Sequence, residues 1–230
     1  MKTKTIKKAT TTWVKPLAQL ASLIIPIVGV PSIAQATTIL SNNLTEPLSS
    51  TYSDNPSLIT STIWNAQSFS TDSSPYFLNN ITLNLQSDTP GSVAALDLYS
   101  NTSTGPTGIA PLVKLGTLTS PSSYPTTFTN TAFSSSGINL APNTTYWAVL
   151  HATSGQLEWA YTDSSTGSGA GFQTIWTNSS DGGKTWNSSI ADQPSLIQVS
   201  ATEVPEPSTV LGGITALGIG MSFKRKHKSR

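Results

Sequence analysis

Ile81-Thr82-Leu83-Asn84-Leu85-Gln86 places an aliphatic residue at every second position and a polar one between, over six residues. Side chains on a β-strand point alternately to opposite faces, so this stretch buries one face and leaves the other wet. Ala94, Leu96 and Leu98 repeat the pattern, and so do Leu157, Trp159 and Tyr161. Tyr146-Trp147-Ala148-Val149-Leu150 is apolar on both faces, which suits a central strand of a two-layer structure. Further strands are expected at 64–69, 112–118, 126–133, 172–177 and 196–201, and no sustained 3.6-residue period occurs between Thr37 and Glu203. Clusters such as Asn101-Thr102-Ser103-Thr104-Gly105-Pro106 and the run 164–171 supply turn chemistry between the strands. About nine short strands in one unit predict an all-β fold, an antiparallel β-sandwich of jelly-roll type.

Ser and Thr make up 57 of the 167 residues from Thr37 to Glu203, a bias that a disordered, mucin-like stalk would also show. Five of the six Trp and all six Tyr lie in the same stretch and can fill a core, which favours a folded body. The chain has 230 residues and no cysteine, which removes disulfide scaffolds, thiolate metal sites and thiol nucleophiles. Only 10% of residues are charged, low for a cytosolic enzyme surface. Ten of the twelve Lys and Arg residues sit at the two ends, and the body between has Lys114 and Lys184 against ten acids. An acidic body repels phosphate backbones, so nucleic acid is not an expected partner.

Both ends read as targeting segments. A basic start, with Lys2, Lys4, Lys7, Lys8 and Lys15, leads into the apolar run 17–30 and then Ala34-Gln35-Ala36. A basic region, a short apolar core and a small-x-small ending form a secretory signal peptide over residues 1–36. Signal peptidase is then a partner, with Ala34 and Ala36 flanking the cleavage position and Thr37 as the mature start. The alternative is an uncleaved anchor, but the run is short and interrupted by Pro26.

At the other end, residues 204–230 hold Val204-Pro205-Glu206-Pro207, an apolar segment over 210–223, and the cluster Lys224, Arg225, Lys226, Lys228 and Arg230. A residue before proline is driven to extended geometry, so Glu206 should present an open, protease-readable backbone. Residues 208–223 would measure about 24 Å as a helix, enough to cross a thin bilayer with snorkelling flanks. The basic cluster should stay on the cytoplasmic side, with the acidic body across the membrane. In order and spacing, these three parts closely resemble the PEP-CTERM sorting signal of Gram-negative bacteria, most like cyanobacterial members. That resemblance implies cutting near Pro205-Glu206-Pro207 by an exosortase and transfer of the body to the cell surface or extracellular matrix. A plain tail anchor is the alternative, and it has no need of the motif. Within 37–203, Trp64-Asn65-Ala66-Gln67-Ser68-Phe69, Leu96-Asp97-Leu98-Tyr99 and Leu140-Ala141-Pro142-Asn143-Thr144-Thr145-Tyr146-Trp147 resemble the choice-of-anchor R type of bacterial surface domain. This second resemblance implies a location rather than a chemistry.

Ser179-Ser180-Asp181-Gly182-Gly183-Lys184-Thr185-Trp186 matches the Asp-box pattern of sialidase-type hairpins. Its expected role is a lock in which the Asp181 carboxylate accepts turn amides, with Ser179 and Thr185 beside it, Gly183 at positive φ and Trp186 packed beneath. His151 could act as a base with Asp163 or Glu158, but no Gly-x-Ser-x-Gly elbow accompanies it, and a strand-end histidine is the plainer reading. Carboxylate pairs drawn from Glu158, Asp163 and Asp181 have no distinguishing spacing. Asp163 and Asp181 could hold calcium, though no Asp-x-Asp-x-Asp-Gly loop is present. Exposed members of the set Trp147, Trp159, Trp176 and Trp186 could stack on sugar rings, which gives exopolysaccharide binding as an alternative function. The sequence calls for no cofactor, no resident metal and no catalytic residue, and a non-enzymatic protein is expected.

Overall fold

The computed structural model describes residues 35–49, 58–87, 89–101, 113–188 and 190–205. Among these, all regular structure is β, arranged in two antiparallel sheets, with no helix. The apolar segments expected at 17–30 and 210–223 lie outside the described residues.

The founding alternation lies within β4 (Tyr76–Gln86), the longest strand of the seven-stranded sheet. β12 (Ile197–Glu203) pairs with it, and β1 (Thr37–Asn42) pairs with β12. β7 (Thr129–Ser134) and β8 (Asn139–Leu140) also pair with β4, as does β10 (Leu157–Trp159), which carries β2 (Leu58–Ile59). The five-stranded sheet runs β11 (Trp176–Ser179), β3 (Trp64–Ser70), β9 (Thr145–Ser154), β5 (Val93–Ser100), β6 (Val113–Thr117). β9, whose apolar run covers both faces, is the middle strand of this sheet.

One hydrophobic cluster takes side chains from both sheets. Ile81, Leu83 and Leu85 of β4 and Ile197 and Val199 of β12 meet Leu96 and Leu98 of β5 and Ala148 and Leu150 of β9, all fully buried. Burying a Leu or Ile side chain stabilises by about 1.5–3 kcal/mol, so this shared layer is the main attraction between the two sheets.

Among the described residues twelve strands stand where nine were expected, and the three additions are those periodicity cannot show. β2 and β8 are two residues each. In β1 a register shift between Ile39 and Ser41 leaves neighbouring Leu40 and Ser41 both buried, which erases the alternation. The strand expected over 172–177 is displaced to Trp176–Ser179. Upstream of it, side chains of β3 add to isolated backbone bonds from Ser68 N to Ile175 O and from Ser70 N to Gly171 O. Gln67 Nε2 donates to the carbonyls of Gln173 and Ile175, each at 3.0 Å, and Ser68 Oγ donates to Ile175 O at 2.8 Å.

Candidate functional site

Strand alternation sends Trp147, Val149 and His151 of β9 to the face of the five-stranded sheet opposite the shared core. Ala66 and Trp64 of the paired strand β3 join them there, as do Asp97 and Tyr99 of β5. Ala66, Trp147 and Val149 are buried as a second, smaller cluster, with Trp64, Tyr99, Ile175 and Trp186 packed against it.

Asp97 is the polar centre of this face. Its side chain is 2% exposed and meets Lys114 Nζ at 2.8 Å and His151 Nε2 at 3.2 Å, both through Oδ2. Thr117 Oγ1 donates to Oδ1 at 2.6 Å. Burial alone would raise this carboxyl, but the hydrogen bonds from His151, Lys114 and Thr117 outweigh it and hold Asp97 below the ordinary carboxylate range. The His151 ring stacks on Trp64, with centroids 4.1 Å apart and planes 15° from parallel. Asp97, His151 and Trp64 therefore form a continuous chain across three neighbouring strands.

Trp64 also meets the Ser179–Trp186 turn. Gly183 has φ +78, and a Cβ there would lie 2.5 Å from a Trp64 ring carbon, so the turn requires both the conformation and the absent side chain of glycine. Gly182 N also donates to Thr62 O at 2.9 Å. Within the turn, Asp181 Oδ1 accepts the amides of Lys184 at 3.0 Å and Thr185 at 2.9 Å, and Oδ2 accepts Thr185 Oγ1 at 2.7 Å. Ser179 Oγ donates to Asp181 Oδ1 at 2.8 Å and accepts Gly183 N at 2.9 Å. Hydrogen bonds from Thr185 lead a set that lowers the Asp181 carboxyl to about 2. The five residues of the Asp-box pattern are thus brought together, with Asp181 and Ser179 latching the turn and Gly183 and Trp186 laid against the outer cluster.

Other candidates are kept apart. His151 stands on the five-stranded sheet with Asp97, whereas Glu158 belongs to β10 of the other sheet, where Gln86 Nε2 donates to it. Asp163 accepts Ser49 Oγ at 2.6 Å and Gln193 Nε2 at 3.1 Å. Among the described residues no group of three or more His, Asp or Glu is placed to hold a metal ion. Trp147 and Trp159 are fully buried, which corrects their candidacy as sugar platforms. Trp159 Nε1 donates to Leu196 O at 3.0 Å inside the core. Trp176 and Trp186 are only half-buried.

Of the sorting residues, Pro205 is exposed just beyond the end of β12. Glu206, Pro207, Lys224, Arg225, Lys226, Lys228 and Arg230 lie outside the described residues, and so does Ala34. Ala36 is exposed one residue before β1. The Asp97–Lys114–Thr117–His151 cluster is what sequence reasoning missed. Its available signal was an acid inside the apolar alternation of β5 and one of only two bases in the body.

No protein-family model matches the chain, and no curated protein matches it.

Proposed function

We propose that this chain is an exported, non-enzymatic protein of the cell surface or extracellular matrix. Its β-sandwich, of jelly-roll type, is a passenger between a removable signal peptide and a PEP-CTERM-like sorting tail. Signal peptidase trims one end. An exosortase acts on Pro205-Glu206-Pro207 while the segment 210–223 holds the chain in the inner membrane with the Lys224–Arg230 end inside. The observation that carries this reading is the ordered tail of Pro-Glu-Pro, apolar segment and basic cluster in the last 27 residues. The body is compatible with it. β1 begins at Thr37, the expected mature start, and β12 ends at Glu203, immediately before the tail. Those two strands pair with each other, Thr37 opposite Thr202, so both processed ends emerge side by side.

Intact-mass measurement of the protein recovered from its native cell envelope tests the reading. The expected species lacks both terminal segments. Replacing Pro205, Glu206 and Pro207 with alanine should leave the tail attached; a mature protein of unchanged mass in that variant would overturn the role given to the motif.

A further inference from the structure

At the end of the body where β12 runs out, the edges of the two sheets leave an apolar groove of about 520 Å³. Tyr76, Phe77 and Leu140 of the seven-stranded sheet line one side, Leu115 and Tyr146 of the five-stranded sheet the other, and Val204 closes it at the chain's exit. Among the described residues that line it, none is charged. Both tyrosine hydroxyls are engaged within the body, Tyr76 donating to Asp72 at 3.0 Å and Tyr146 accepting Ala141 N at 2.6 Å. Phe77 and Leu115 are 39% and 42% exposed, and Val113, paired with Ser100 of the groove wall, is 48% exposed. Half of the six large apolar residues left exposed among the described residues thus gather at one end. Apolar surface concentrated in this way marks a site of contact with a protein or a membrane.

The position of the groove says what it faces. Thr37 pairs with Thr202, so the start of the body and its end both lie at the groove end. Val204 N donates to Pro75 O at 2.9 Å, which ties the chain's exit to the groove wall. Five residues separate Val204 from the apolar run that begins at Val210, and five extended residues reach at most about 18 Å. A bilayer that takes up 210–223 therefore comes within that reach of the groove. Charge agrees with an uncharged lipid surface. The acids at this end are occupied, Asp72 by Tyr76 and Glu203 by Ser74 Oγ at 2.7 Å, and no base lines the groove to draw anionic headgroups. Val93 is 50% exposed, more than any of the three, yet it stands at the other end of β5, about 23 Å from Ser100.

We propose that the groove end of the body docks on the outer surface of the membrane that holds the tail, with Phe77, Val113 and Leu115 entering the lipid interface. The inference rests on the reading of 210–223 as a membrane segment. It adds an orientation: the body stands end-on, groove to the bilayer, and Pro205 is held at the membrane surface, where a membrane-embedded protease meets it. Three side chains are too few to keep the body there alone. The tether makes the contact intramolecular, at an effective concentration of roughly millimolar order. Cutting the tail removes the tether, and the body leaves the surface.

The chain has no cysteine, so a single introduced thiol carries a polarity-sensitive fluorophore without background. The full 230-residue chain with Leu115→Cys is labelled and reconstituted into phosphatidylcholine vesicles in which some acyl chains bear a nitroxide quencher. Val93→Cys, treated alike, is the control. Docking should blue-shift the probe at position 115 and quench most of its emission, in high salt as in low, while the probe at position 93 stays as in water. Adding Phe77→Asp or Val113→Asp should return the first probe to water without releasing the chain from the vesicles, with near-UV circular dichroism checking that each variant is folded. A chain that floats with the vesicles and leaves both probes in water would overturn the proposal while the membrane reading of the tail stands. A blue shift at position 115 without quenching would assign the groove to a second copy and overturn it as well. Protein that stays out of the vesicle fraction would overturn both readings. Failure of tail removal in cells would count against the sorting role and leave the difference between the two probes unchanged.

Discussion

The two sheets share one core yet carry unlike outer faces. On the seven-stranded sheet, Thr82, Asn84 and Gln86 alternate outward from β4 at half-buried positions, beside Asn130 and Gln198 of the neighbouring strands. Asn84 Nδ2 reaches Asn130 Oδ1 at 2.9 Å, and Gln86 Nε2 donates to Glu158 of β10 on the same face. On the five-stranded sheet, the corresponding positions of β9 hold Trp147 and Val149, both wholly buried, with a buried acid one strand away. A sheet wet on one face writes its hydrophobicity with period two, and a sheet covered on both writes a continuous run. Here the cover is not a helix but a turn held closed by Asp181, with Trp186 carried on it.

The sharpest way to break this comparison is to truncate one outward residue on each sheet. Trp147→Ala should cost about 3–5 kcal/mol in urea unfolding, as for core aromatics. Asn84→Ala should stay within about 0.5 kcal/mol. Similar losses for the two would mean that the turn covers nothing of consequence.

Next in size is Asp97→Asn, expected to cost about 1.5–3 kcal/mol because charged hydrogen bonds to a buried carboxylate are lost. Its pH dependence has a definite sign. The folded carboxyl titrates below the unfolded value of about 3.9, so its stabilisation is present above that value and fades as pH falls through the folded one. Urea midpoints measured from pH 6 down should therefore fall less steeply below about pH 4 in the variant than in the parent.

Gly183→Ala should cost roughly 1–3 kcal/mol, combining an unfavourable φ with a Cβ against the Trp64 ring. A change in tryptophan fluorescence should accompany it. Asp181→Ala should have a smaller effect on the melting temperature but should accelerate amide exchange at Lys184 and Thr185. In the parent, that amide protection should decline as pH drops toward about 2, where the carboxyl protonates. Lys114→Met should be the mildest, no more than about 1 kcal/mol, since the lysine is half exposed.

The legible parts of the fold are those in which each residue's role depends on its neighbours two positions away. β4 and β5 satisfy that condition, β9 is legible instead as an unbroken apolar run, and the sequence places all three within a few residues of their observed bounds. β1 does not, because its bulge puts two successive side chains inside. Nor does the stretch before β11, where the Gln67 and Ser68 side chains reach across to the Gln173 and Ile175 carbonyls and only isolated backbone bonds form. In the candidate site, the Asp-box residues announce themselves because their contacts are local: Asp181 bonds residues at most four positions away. What they lie against was hidden. The contact between Gly183 and Trp64 and the meeting of Asp97 with His151 join distant parts of the chain, through pairings of β3, β9 and β5 that periodicity alone cannot order.

The ladder joining β1 to β12 has a mechanical corollary. A load hung between the body's two exits would open that pair from its outer end, rung by rung, without first straining the sheets behind it. Splicing the exits with a short linker and cutting a distant loop should, for the same reason, yield a permuted domain with its interior intact.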